Sequence, residues 1–168
     1  ITATGTADMN TAVIEGYWNS GYSGERRSAS GGLIQIEDPI TKSSGGDATL
    51  TVRSYGRVFD WSNRHITSTS GKLNVVLWSD YDNDKDGGVS LTGNLVTNGG
   101  HVWLGGSSTV GGSLTWNGLT VGDGPSEGAI VTGNANALDL FANVTTGGGD
   151  FLAWAGARKP GSGGVDGI

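Results

Sequence analysis

The sequence predicts an all-β fold wound as a parallel β-solenoid with coils of about 25 residues, on three observations. Apolar residues recur in short runs that alternate with period 2, and helical periodicity is nearly absent. One phrase returns along the chain: an apolar residue, Thr, a short polar stretch with Gly, then a strand-like run. Glycine is the dominant residue, at 32 of 168, without the G-X-Y period of collagen.

In chain order the alternating runs are "GLIQIED", "DATLTVRS", "RVFDWS", "KLNVVLWS", "GGVSLTG", "HVWLGG", "GLTVGDG", "ALDLFANV" and "DFLAWAG". Each is bounded by Gly, Ser, Asn or Asp, the pattern of short strands joined by tight turns. "PITKSSGGDATLTV" at 39–52 resembles "HITSTSGKLNVVL" at 65–77. "VSLTGNLVTNGGHV" at 89–102 lies over "LDLFANVTTGGGDF" at 138–151 without a gap, at an offset of 49. The steps from Ala48 to Leu73 and from Leu73 to Val102 are 25 and 29. The offset of 49 therefore reads as two steps, with "SLTWNGLTVGDG" as the intervening turn of the coil.

A single coil cannot bury its own inner face; stacked coils bury a continuous apolar column. A propeller blade needs about 40–45 residues and four strands, so it fits worse. A β-sandwich remains the alternative: it explains the alternation but not the repeated phrase. The expected organisation is a variant coil, cap or loop over residues 1–29 and solenoid repeats over 30–168, with an acidic loop at 80–87.

Composition narrows the function classes. Charged residues are 15% and apolar residues 35%, against the profile of simple disorder. The net charge is −6, and the basic residues offer only pairs such as Arg26-Arg27 and Arg158-Lys159, so nucleic acid is not expected as a partner. No apolar stretch approaches the length of a spanning helix. Without cysteine there is no disulfide or thiol chemistry. The chain starts "ITATGTADMN" with neither an initiator Met nor a signal peptide, and reads as a piece of something longer.

The stretches "ITSTSGKLNVVLWSDYDNDKDGGVSLTGNLVTNGGHVWLGGSS" and "TWNGLTVGDGPSEG" carry a resemblance. They are similar to the repeat regions of very large bacterial surface proteins of the filamentous-haemagglutinin type, over roughly residues 30–156. That resemblance implies a right-handed parallel β-helix shaft, export to the cell surface or exterior, and adhesion to cells or matrices; it implies no active site. The partners it implies are a surface glycan or protein receptor, or neighbouring repeats of the same protein.

One stretch carries chemistry. "WSDYDNDKDGGVSL" sets Asp80, Asp82, Asp84 and Asp86 on alternate positions, and "DNDKDG" at 82–87 has the form D-x-D-x-D-G. Such spacing turns carboxylates to one side of a tight loop, and Ca2+ wants six to eight oxygens. Counted from Asp82, the Glu that an EF-hand loop needs at its twelfth position is Gly93, and no helix flanks the run, so this is not an EF-hand. The candidate is a structural Ca2+ loop inserted between two strands of one coil; the bland reading is a solvated acidic turn that limits lateral aggregation.

Tyr17, Trp18 and Tyr22 form an aromatic cluster that could stack on sugars and are the candidate ligand-binding residues. The strand tryptophans read instead as corner fillers or stacking partners. His65 and His101 lie near repeat turns with no second metal ligand of their kind and read as structural. No G-x-S-x-G occurs, and Asp60, Asp123, Glu127, Asp139 and Asp150 are scattered, so catalysis is not expected. The leading expectation is a structural and adhesive segment. The alternatives are a calcium-dependent carbohydrate-binding module and, behind it, a polysaccharide-degrading β-helix enzyme.

Overall fold

The computed structural model describes residues 11–16, 33–85, 87–127 and 138–156, the first of these by its backbone. Among these residues every regular element is a strand, and all but one pair of neighbours run parallel.

Four successive trios of strands repeat one plan. They are β2 (Leu33–Gln35), β3 (Ile40–Lys42) and β4 (Ala48–Ser54), then β5 (Arg57–Phe59), β6 (Ile66–Ser68) and β7 (Leu73–Trp78). Next come β8 (Gly88–Leu91), β9 (Leu95–Val96) and β10 (Val102–Gly105), and finally β13 (Leu138–Leu140), β14 (Val144–Thr145) and β15 (Phe151–Ala153). Each trio, here a tier, gives one strand to each of three parallel sheets, ordered β2-β5-β8-β13, β3-β6-β9-β14 and β4-β7-β10-β15. A further strand, β1 (Thr11–Gly16), extends the third sheet by pairing with β4, with Ile14 opposite Val52. Residues 11–16 thus belong to the same sheet as the repeats that follow.

The three sheets face one core. Ile34, Val58 and Val89 enter it from the first sheet, Ile66 and Leu95 from the second, and Leu50, Val52, Val75, Leu77, Val102 and Leu104 from the third. Like stacks on like because the paired positions are apolar in every tier: Ile40, Ile66, Leu95 and Val144 lie in register, as do Leu50, Val75, Val102 and Phe151.

Polar side chains reinforce the stack from outside. Asn74 Nδ2 donates to Thr49 Oγ1, the His101 amide donates to Asn74 Oδ1, and the Asp150 amide donates to His101 Nδ1. A second ladder runs through His65, whose Nδ1 accepts the Asn94 amide, and Asn94, whose Oδ1 accepts the Asn143 amide. Both histidines are structural acceptors.

The register corrects two expectations. Val102 pairs with Val75, not Leu73. The strands 49 residues apart, such as Val89 and Leu138 or Val102 and Phe151, are direct neighbours, so 49 is one step and not two. The "SLTWNGLTVGDG" stretch forms no intervening coil: it is the antiparallel hairpin of β11 (Ser113–Trp116) and β12 (Leu119–Gly122), turned at Asn117 and Gly118, both with positive φ. That hairpin lays Leu119 and Val121 over Val76, Trp78 and Trp103 on the outer face of the third sheet, making a second small core. Its tip is held by Asn117 Nδ2, which donates to Asp150 Oδ2 at 2.7 Å.

The lengths of the connections explain the irregular steps. Links from the first sheet to the second and from the second to the third run three to six residues. Links from the third sheet back to the first are 16, 2, 9 and 32 residues long, at 17–32, 55–56, 79–87 and 106–137. Every large insertion therefore leaves from one corner of the stack.

Candidate metal site

The acidic run is the nine-residue insertion between β7 and β8. It starts as a continuation of the sheet: the Ser79 amide donates to Gly105 O, Asp80 N to Gly56 O and Tyr81 N to Ser54 O. The chain then curls, with Asp80, Asn83 and Lys85 at φ of 50, 55 and 66°, a region that non-glycine residues seldom adopt. The curl is tied at several points. Asn83 N donates to Asp80 O, Asn83 Nδ2 to Ser108 O at 2.7 Å, and the Gly111 amide to Tyr81 O. The loop is thereby clamped between the corner of the tier before it and the insertion of the tier after it.

Asp80, Asp82 and Asp84 converge, each offering an oxygen within 4.8 Å of the others. Asp80 is fully buried; its Oδ1 accepts the Lys85 amide at 3.0 Å, while its Oδ2 is buried with no hydrogen-bond partner among the described residues. Burial, countered by the Lys85 amide, and the charges of Asp84, Asp82 and Glu127 push the Asp80 carboxyl up to about 7. A buried carboxylate oxygen without a donor is costly, and a bound cation would satisfy it. The three carboxylates fit a hard, oxygen-seeking ion. Asp86 lies outside the described residues, so its part in the cluster is not among the observations.

Two neighbours were not apparent as site residues from the sequence. In the sequence Glu127 reads as one of several scattered acids, yet the Gly87 amide donates to its carbonyl at 2.9 Å and Lys85 Nζ sits 2.6 Å from its Oε2. That contact, with the charges of Glu127 and Asp80, raises the Lys85 ammonium above its ordinary range. No spacing signal could have revealed Glu127, because the links at that corner run 16, 2, 9 and 32 residues and set no fixed interval.

The aromatic candidates Tyr17, Trp18 and Tyr22 lie outside the described residues, in the link between β1 and β2. That link, like the acidic loop, joins the third sheet to the first. The strand tryptophans divide. Trp78 and Trp103 are buried in the second core, edge to face, with Trp78 Nε1 donating to Ser107 Oγ at 2.8 Å. Arg53 lies over the rings of Trp78 and Tyr81. Trp61 is 64% exposed and tilts against Phe59.

No protein-family model, no curated protein and no solved structure matches the chain.

Proposed function

We propose that the chain is a right-handed parallel β-solenoid, with coils of about 25 residues before insertions, serving as a structural and adhesive segment of a large secreted or cell-surface bacterial protein. The observation that carries this reading is the in-register stacking of like residues through four tiers and three sheets. Such stacking makes a stiff rod whose loops point outward from one corner, and a passive rod needs no reactive centre. The resemblance to repeat regions of filamentous-haemagglutinin-type proteins supports the same reading, with a surface glycan, a protein receptor or neighbouring repeats as partner.

In this reading the acidic loop holds Ca2+, which orders the loop rather than performing chemistry. Supporting it are the convergence of three carboxylates and the donorless Oδ2 of Asp80. The test is exposure of the protein to immobilised matrix proteins and a glycan panel, with polysaccharide digestion run alongside. Saturable binding without turnover supports the adhesive role. Binding to none of them, or new reducing ends released from a polysaccharide, contradicts it.

A further inference from the structure

The following rests on reading the acidic loop as a cation site. We propose that Glu127, returned to the loop by the insertion of the next tier, is the carboxylate that closes the shell around the ion, taking it up in exchange for Lys85.

The loop's geometry sets its own numbering. In twelve-residue calcium loops, side chains at positions 1, 3 and 5 ligate, position 6 makes a sharp turn, and a bidentate Glu closes the shell at position 12. Here the sharp turn is at Lys85, φ 66°, whose amide points back to Asp80 Oδ1. That makes Asp80, Asp82 and Asp84 positions 1, 3 and 5, two residues earlier than the D-x-D-x-D-G string suggests. Position 12 then falls on Leu91, which is 1% exposed in the core and paired with Leu140. Among the described residues the loop offers no carboxylate at position 12, and three monodentate aspartates fall short of the six to eight oxygens Ca2+ takes.

Glu127 is placed to supply what is missing. Its carbonyl accepts the amide of Gly87, two residues beyond the turn at Lys85. Its neighbour Ser126 is buried, with Oγ 2.7 Å from the Oγ of Ser79, the residue before Asp80. The same Ser126 exchanges backbone hydrogen bonds with Trp154 and Gly156 of the last tier, so the segment is held on both sides. The Glu127 side chain is 16% exposed and engages Lys85, itself 46% exposed on a long stem that can swing into solvent. Lys85 is itself a loop residue, so its ammonium ties Glu127 to the loop; the Glu127 carboxylate lies outside the 4.8 Å cluster of Asp80, Asp82 and Asp84 and closes the shell by swinging in as Lys85 leaves. The ion therefore fastens two insertions together, one from each of two successive tiers.

The experiment is calorimetric titration of the chelator-treated protein with CaCl2, together with Tb3+ luminescence lifetimes that count waters on the bound ion. Wild type binds; Asp82→Asn does not. Glu127→Gln weakens binding about tenfold or more and adds one or two inner-shell waters. Lys85→Met binds several-fold tighter, and that gain disappears when combined with Glu127→Gln. If wild type takes up no Ca2+, the cation reading fails and this inference with it. If wild type binds and Glu127→Gln matches it in affinity and water count, the loop reading stands and the role of Glu127 is overturned. If Lys85→Met binds no tighter, the exchange is overturned. Should Glu127→Gln fold poorly, Glu127→Asp serves, with a shorter reach and the same added water expected.

Discussion

Asp60 is fully buried, and its two oxygens gather the corner between β5 and β6 and the matching corner of the next tier. Oδ1 accepts the amides of Ser62 and Arg64; Oδ2 accepts the amides of Thr92 and Gly93 and the Thr92 hydroxyl. Burial by itself would raise this carboxyl, but the donors from Arg64, Ser62, Thr92 and Gly93 outweigh it and hold it below its ordinary 3.8. Because the folded value is the lower one, the stabilisation is present above about pH 4 and fades as pH falls below it. Asp60→Ala leaves the buried amide of Gly93 and the half-buried amides of Ser62, Arg64 and Thr92 without their acceptor and costs about 2–4 kcal/mol. Asp60→Asn also loses the acid-limb slope, which denaturant melts between pH 2 and 5 will register. Asp80 behaves oppositely. Its buried charge has an unmet oxygen, so in chelator Asp80→Asn melts at or above wild type. Ca2+ at about a hundred times its dissociation constant adds about 2.7 kcal/mol to wild type and nothing to the variant, read as a shift in melting temperature.

Among elements, the turn between the second and third sheets uses glycine for close approach. A Cβ on Gly149 would lie 2.0 Å from Gly100 O, and one on Gly100 would lie 2.1 Å from Leu73 O, so successive tiers touch backbone to backbone. Gly149→Ala forces the tiers apart and should cost about 1–3 kcal/mol in a chemical melt, the scale of overpacking. The hairpin β11–β12 is held by its own core, so Trp103→Ala should cost about 3–5 kcal/mol and release the hairpin, seen as early amide exchange over 113–122. These elements also mark what the sequence made legible. The alternation of "KLNVVLWS" and the phrase shared by "TNGGHVW" and "TTGGGDF" exposed strands, inward faces and the offset of 49. The number of coils in that offset stayed hidden, because an antiparallel hairpin and a parallel coil strand share the same period of 2. For the same reason the pattern alone does not separate Leu73 from Val75 as the partner of Val102: a slip of two residues leaves the period-2 apolar pattern intact while moving the register. In the site, the three aspartates were legible from their spacing. Glu127 and Lys85 were not, since a side chain brought by a 32-residue insertion has no fixed spacing.

At the scale of the molecule, three sheets keep short links at two corners and concentrate all large insertions at the third. The repetitive part can then be stiff while one edge varies. That division fits a rod that presents loops, and it places the acidic loop and the link carrying Tyr17, Trp18 and Tyr22 on connections of the same kind. The fold and the placing of the site both require parallel stacking in register, and the most direct measurement is backbone NOE spectroscopy of the labelled protein. Parallel tiers predict amide-to-Hα contacts linking Leu50 with Val75, Val75 with Val102 and Val102 with Phe151, and Hα-to-Hα contacts confined, among the described residues, to the hairpin at 113–122. Strong Hα-to-Hα contacts between strands throughout the chain, as two facing antiparallel layers would produce, would contradict it.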